Sequence, residues 1–351
     1  MKRNEIAHRR MHGLGIWRTP FDNPDEVVRH LAALQAQEFS YAKWSVAQRT
    51  KDADDEAVQR LFDEGAILRT HLLRPTWHFV HSADIRWILE LTAPRVHALN
   101  AYMYRQLDVD PKTLAKSNRL LAKNLEGGTH LTRKEIGAVL KGAGIDATRL
   151  RLGYFLMRAE LDALICSGVR RGKQQTYALL EERAPDAKRL DPVDALAELT
   201  RRYFKTRGPA TVRDYSRWSS LTMADCRRGL EMLGTELEHE VDGDRTYWFA
   251  PFSPPSKPAS KVIDLVQVYD ECVMSYSESR DVLAGSVPNQ ESPFMHAVLL
   301  DGQLIGHWKR TESRGSIEIE TSFLRSLNRA ETRALHKAVD RYRRFLGQPA
   351  T

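Results

Sequence analysis

The sequence predicts an α+β protein in which three tandem helical units, each carrying a hairpin, precede a β-rich, barrel-like C-terminal domain with a final helix. Three observations predict it. Segments of helical period come in groups, and each group runs into a stretch that alternates with period two. The stretch Pro251-Phe252-Ser253-Pro254-Pro255-Ser256-Lys257-Pro258 has the composition of a linker. Beyond it strand patterns dominate up to one last amphipathic helix. The boundaries fall at residues 1–110, 111–190 and 191–250 for the three units, 251–261 for the linker and 262–351 for the C-terminal domain.

Bulk properties narrow the classes. The 351 residues suffice for several domains and a real core, and 42% hydrophobic residues mark a globular chain, not a disordered one. No apolar run approaches the roughly 18 residues of a membrane span. Met1-Lys2-Arg3-Asn4-Glu5 lacks the apolar core of a signal peptide. Cys166, Cys226 and Cys272 lie far apart without CxxC spacing, which points to the reducing cytoplasm, buried thiols and no zinc site. Lys and Arg total 53 against 46 acids, and the net charge of +7 favours a polyanionic partner.

In the first unit, residues 4–13 read as a basic helix broken at Gly13 and Gly15. The next helix has a strong start: Asn23 as cap, Pro24 in the first turn, then Asp25 and Glu26. Val27, Leu31 and Leu34 recur on its core face. Gln35 and Gln37 arrive where that pattern stops. In a continuing helix they would point about 200° apart, so they can serve one site only if the helix unwinds there. Most such pairs are solvated surface or caps. Ala42 to Arg49 and Asp55 to Phe62 are further helices, with Trp44 a candidate wall residue and Gly65 a C-cap. Arg69 to Val80 alternates as a hairpin, with Pro75 at an edge or turn. Arg74, Thr76 and His78 fall on one face, Trp77 and Phe79 on the other. A lone histidine there is more often a hydrogen-bonded core residue than a reactive one.

Ser82–Leu91 and Pro94–Leu107 read as two helices that close the first unit. In the second, Lys112–Leu125, a capping box at Thr132-Arg133-Lys134-Glu135 and a long helix over Thr148–Ile165 lead to a hairpin over Val169–Tyr177. Arg170, Arg171 and Lys173 make its tip basic. The third is clearest: Asp191-Pro192 opens a helix through Phe204, and Gly208-Pro209 ends it. Thr211 and Thr222 cap two more, the latter carrying Arg227 and Arg228, and a hairpin turns at Asp242-Gly243. Helices followed by a hairpin make a winged helix, an architecture that serves DNA, RNA, protein or mere scaffolding. After the linker, Val262–Tyr269, Ala297–Leu300, Leu304–Lys309 and Ser316–Ser322 are strands, Asp301-Gly302 a tight turn, and residues 328–346 the last helix. Arg341, Arg343 and Arg344 near its end read as solvated complements to the helix dipole.

Gln35-Ala36-Gln37, Thr70 to Phe79, Tyr203 to Leu233 and Val268-Tyr269-Asp270-Glu271 together resemble the bacterial winged-helix DNA glycosylases of the YcaQ/AlkZ type, over nearly the whole chain. The resemblance implies that Gln35 and Gln37 form a catalytic Gln-x-Gln motif. It implies excision of N7-alkylguanine adducts, bulky ones and interstrand crosslinks included, in some relatives as self-resistance of antibiotic producers. It also sets Arg74, Thr76 and His78 near that motif.

The chemistry is coherent. A glutamine amide is no general base, but an N7-alkylated guanine already carries the positive charge that makes its glycosidic bond labile. Orienting water and setting carbonyl dipoles against the developing sugar cation then suffices. Glu38 would be a stronger base if it turns toward the site. The partner is duplex DNA bound by a monomer, with Arg170, Arg171, Lys173, Arg227 and Arg228 on phosphates, no cofactor, no metal and an abasic product. The alternatives are a winged-helix transcriptional regulator, which would dimerise on half-sites, or a scaffold with the glutamines idle. No phosphate loop, HExxH or nucleophile elbow is present.

Overall fold

The computed structural model of the chain describes residues 1–17, 21–251, 261–284, 295–313 and 316–349. The first part contains α1 (Arg3–Gly13), α2 (Pro24–Leu31), β1 (Leu34–Gln35), α3 (Phe39–Ala47), α4 (Asp55–Glu64), β2 (Ile67–Leu72), β3 (Arg74–His81) and α5 (Ile85–Gln106). The second contains α6 (Pro111–Leu125), β4 (Leu131–Thr132), α7 (Arg133–Gly142), α8 (Arg149–Leu161), β5 (Ile165–Ser167), β6 (Thr176–Leu179) and α9 (Leu180–Arg183). The third contains α10 (Pro192–Arg207), α11 (Val212–Ser219), α12 (Met223–Leu233), β7 (Glu238–Asp242) and β8 (Arg245–Phe249). The C-terminal part has β9 (Ile263–Val266), α13 (Glu271–Met274), α14 (Asp281–Ala284), β10 (His296–Leu300), β11 (Gln303–Ser313), β12 (Ser316–Phe323) and α15 (Arg329–Phe345).

Each of the first three parts carries a small antiparallel sheet, in the orders β1-β3-β2, β4-β6-β5 and β7-β8. The C-terminal sheet runs β12-β11-β10-β9 and is open, with β12 and β9 at its edges, so the expected barrel does not close. Its apolar surface is covered instead by α15, which buries Ala334, Ala338, Tyr342 and Phe345. Packing a helix on one face hides that surface without closure. At its hairpin Asp301 and Gly302 both take positive φ, 49° and 77°, the conformation a two-residue turn demands.

Three elements differ from the sequence reading. Residues 85–106 form one helix through Pro94, not two. The lost hydrogen bond is outweighed by a continuous buried stripe of Trp87, Ile88, Leu89, Thr92, Ala93 and Val96. The long helix of the second part stops at Leu161, and Ile165 belongs to β5, paired with Leu179. The strands of that hairpin therefore flank its basic tip, where only an Arg171–Gln174 bridge remains. Arg341 is not solvated either: its Nη2 donates to the Gln48 carbonyl at 2.5 Å. Of the expected linker over 251–261, residues 252–260 lie outside the described residues.

One hydrophobic core runs through the first part, the third part and the C-terminal sheet, with Trp44, Tyr203, Trp218, Trp308 and Tyr342 among its members. The second part has a core of its own around Leu121, Ile136, Phe155 and Tyr177. The three cysteines are buried and unpaired with one another. No described helix is long and apolar enough to cross a membrane.

Candidate active site

The site begins where α2 is stopped. Its start is locked by the Asn23–Glu26 capping box, and it ends at Ala32, whose φ of 61° cannot continue a helix. Arg207 Nη2 takes the Ala33 carbonyl at 2.9 Å. The chain then pairs with β3, Leu34 opposite Phe79 and Gln35 opposite His78, and Ala36 N donates to the Trp77 carbonyl at 2.8 Å. Unwinding has thus occurred between Leu31 and Leu34. Both glutamine side chains reach the same strand: Gln35 Oε1 accepts from Arg74 Nη2 at 2.8 Å, and Gln37 Oε1 accepts from Trp77 N at 3.4 Å.

Gln35 is only 2% exposed and is held at both ends. Its backbone N–H donates to Glu271 Oε1 at 2.9 Å. The other oxygen of Glu271 accepts from Arg207 Nη2, Trp218 Nε1 and Ser275 Oγ, each at 2.8 Å. Burial opposes a charge on Glu271, but Arg207 and Arg74 more than offset it and hold the carboxyl below the usual range. Arg74 also donates through Nη1 to the Trp218 carbonyl at 2.8 Å, and desolvation lowers its pKa to about 10.

Arg74 Nη2 lies 3.3 Å from His78 Nε2, and His78 Nδ1 lies 3.0 Å from the Thr76 carbonyl. The carbonyl can only accept, which assigns the proton to Nδ1 and leaves the Nε2 lone pair facing the guanidinium. Complete burial and then Arg74 push His78 down to about 3, so the imidazole is neutral. His78 is a hydrogen-bonded interior residue that orients Arg74. Thr76 is half-buried, with its Oγ1 enclosed and unpartnered.

Gln37 is half-buried. Its carbonyl accepts from Arg69 Nη2 at 3.2 Å, while Arg69 Nε holds the Ala36 carbonyl at 2.9 Å. The Arg69 guanidinium stacks on the Trp77 ring at 4.3 Å and reaches Gln175 Oε1 in the second part. Burial lowers its pKa to about 10. Glu38 is exposed at the start of α3, makes no capping bond, and has its carboxyl pushed up by partial desolvation. Trp44 does not join this group. Its Nε1 donates to the Leu265 carbonyl at 2.7 Å and its ring packs edge-on against Tyr342, so it is buried against the C-terminal sheet.

The chain has known relatives over most of its length. The family model described as "DNA glycosylase AlkZ-like" matches residues 28–345. The chain belongs to the AlkZ-like DNA glycosylases. An "Interstrand DNA cross-link repair glycosylase" of Streptomyces sahachiroi is 26% identical over 304 residues, covering 81% of each chain. The solved structure of the Streptomyces sahachiroi DNA glycosylase AlkZ superposes with a TM-score of 0.82 at 21% identity, over 98% of this chain and 96% of that one. The last comparison speaks to the fold.

The basic residues of this AlkZ-like chain divide into two kinds. Arg170 lies over the Phe39 ring at 4.1 Å and donates to the Lys173 carbonyl at 2.5 Å, and Arg171 pairs with Glu135 at 2.7 Å. Both are engaged within the molecule. The Lys173 side chain is exposed, as are Arg227 and Arg228 on α12, whose opposite face buries Cys226, Gly229, Leu230 and Leu233. Sequence reasoning assigned no role to Arg69, Arg207, Trp218 or Glu271. The available signal was the Asp270-Glu271 pair after an apolar strand, two acids that the structure buries completely, Asp270 on Arg49 and Glu271 on Arg207. Among the described residues no cluster could hold a metal ion.

Proposed function

We propose that this glycosylase hydrolyses the N-glycosidic bond of cationic N7-alkylguanines in duplex DNA, bulky adducts and interstrand crosslinks included, and leaves an abasic site. The curated relative, named for crosslink repair, supports the crosslink substrate. The observation that carries the chemistry is the double anchorage of Gln35, its amide oxygen on Arg74 and its backbone on Glu271. Such bracing fixes a neutral dipole before substrate arrives, which is what electrostatic preorganisation requires.

The two amides divide the work. A carbonyl oxygen has two lone pairs, so Gln35 Oε1 keeps one for water while Arg74 fixes its direction. The 3.4 Å contact holds Gln37 more loosely, and its exposure lets it meet water and sugar. Neither amide needs to take a proton while the bond breaks, because the departing base leaves neutral. Glu38, exposed and next to Gln37 in the chain, adds a carboxylate that favours the sugar cation and can receive the proton of the attacking water. The three helix–hairpin parts act as winged-helix modules that cradle duplex as a monomer, with Lys173, Arg227 and Arg228 on phosphates.

The test is excision from duplexes carrying an N7-methylguanine, a bulky N7 adduct or an N7-linked crosslink, with abasic sites revealed by alkali. Release of free alkylated base is expected. Duplex binding without release from any of the three would instead favour a DNA-binding regulator.

A further inference from the structure

Beside the Gln pair, on the far side of Trp77, lies a separate cleft of about 580 Å³ lined by Trp77, Arg133, Lys134, Gly137, Gln175 and Tyr177, among others. It opens between β3 of the first part and α7 and β6 of the second. The volume falls within the roughly 300–1,000 Å³ of small-molecule sites. Its chemistry is one-sided. Lys134 is an exposed cation, Arg133 beside it is exposed with its Nη2 on the Arg149 carbonyl at 2.7 Å, and no carboxylate lines the cleft. The nearby Glu135 is committed to the Thr132 cap and to Arg171. Two enclosed donors in the lining, Trp77 Nε1 and Gln175 Nε2, have no partner. Gln175 cannot relieve this by flipping, because its Oε1 receives Arg69. Buried polar groups are seldom left unpaired, and here both are donors beside cations. A Cβ at Gly137 would stand 3.2 Å from Leu152 Cδ2, another lining residue, so a larger side chain there crowds the cleft wall.

We propose that this cleft is a second nucleotide site. It takes one nucleotide of the bound DNA, the phosphate against Lys134 with Arg133 beside it, and an acceptor-bearing base edge on the Trp77 and Gln175 wall, whose enclosed N–H groups a small side-chain rotation turns toward the base. This rests on the glycosylase reading and extends it: the same Trp77 whose backbone meets Gln37, and the same Arg69 that holds the Gln37 carbonyl, form the wall between the two sites. A nucleotide neighbouring the lesion, unstacked when the lesion is drawn toward Gln37, meets donors and charge that match it.

The test uses the full chain and two variants outside the Gln site, Lys134→Ala and Gly137→Phe, with folding checked by circular dichroism. Each is expected to weaken binding of an N7-methylguanine duplex by about tenfold, the size of one lost base or phosphate contact. The single-turnover rate at saturating enzyme is expected to stay at wild type. Lys134→Ala should also lower the salt slope by about 0.9, which a structural lysine would not do. A 4-thiothymidine beside the lesion should photocrosslink to the 174–177 peptide in wild type and not in Gly137→Phe. Wild-type affinity and slope in both variants, or a crosslink that survives in Gly137→Phe, overturns the proposal. If Gly137→Phe does not fold, the salt slope of Lys134→Ala and the wild-type crosslink to the 174–177 peptide decide, and a wild-type slope or an absent crosslink overturns the proposal. Binding and crosslinking at the cleft without any excision by wild type would uphold this site and sink the glycosylase chemistry instead.

Discussion

The Glu271 carboxylate accepts the backbone N–H of Gln35 at 2.9 Å across 236 residues of sequence, and its second oxygen is saturated by Arg207, Trp218 and Ser275. One buried anion from the C-terminal part therefore ties the candidate motif to α10 and α11. Removing it leaves Arg207, fully buried, without its counter-charge. Glu271→Ala should destabilise the fold by about 3–5 kcal/mol. Urea unfolding followed by tryptophan fluorescence reads this directly, and a midpoint equal to wild type would show the tie to be dispensable.

The glutamines should behave as one unit. Gln35→Ala and Gln37→Ala are each expected to slow single-turnover excision on the order of a hundredfold or more, with DNA affinity little changed. The double variant should lose much less than the product of the two. Gln37→Asp should retain part of the activity on small cationic adducts, since a carboxylate there can act as base. Two alanine variants with unchanged rates would remove the pair from the mechanism.

His78 sets a pH dependence of stability whose sign is fixed by its surroundings. In the folded chain it titrates at about 3, against an ordinary 6.5. Below 6.5 the unfolded chain gains a proton that the folded chain refuses, so wild type loses stability as pH falls from 6.5 toward 3. His78→Gln has no such proton to gain. The stability advantage of wild type over the variant should therefore be largest above pH 6.5 and shrink steadily below it. Denaturant midpoints for both proteins across that range check this, and a gap that widens on acidification would contradict it. The excision rate should show no His78 ionisation between pH 5 and 8.

Among the basic residues, the ones already paired should matter less. Arg227→Ala and Arg228→Ala are each expected to lower the slope of log affinity against log salt by about 0.9. Arg171→Ala, which breaks an exposed pair with Glu135, should change the slope less. Fluorescence anisotropy over a salt series distinguishes them; wild-type slopes in both Arg227→Ala and Arg228→Ala would mean that α12 does not face DNA.

The sequence by itself determined the local structure. Caps at Thr132, Thr211 and Thr222 bound their helices because a short polar side chain satisfies the first free N–H groups wherever it occurs, as the capping boxes at the first two and the Thr222 bond to Asp225 N bear out, while at Asn23 the Glu26 carboxylate accepts from the cap's own N–H. The alternation from Arg74 to His78 likewise put Arg74 and His78 on one face, where they now meet. Those signals are short-range and need no tertiary context. Pro94 shows their limit: a local stop signal was overruled by a buried stripe that only the packed molecule supplies. The same holds for closure of the C-terminal sheet, since α15 covers a face that the strand pattern alone left open.

The candidate site was legible in its two glutamines and in the strand that carries Arg74 and His78, but not in what braces them. That Gln35 is braced by Arg74 and Glu271, that Trp44 faces the other way, and that Arg69 links Gln37 to Gln175 depend on contacts between residues up to 236 apart. The local sign of these buried charges was the Asp270-Glu271 pair after an apolar strand, and it does not say which arginines they meet. Their cost is set by the partner that the fold brings to them, so tertiary structure alone decides which acids and arginines stay ionised inside.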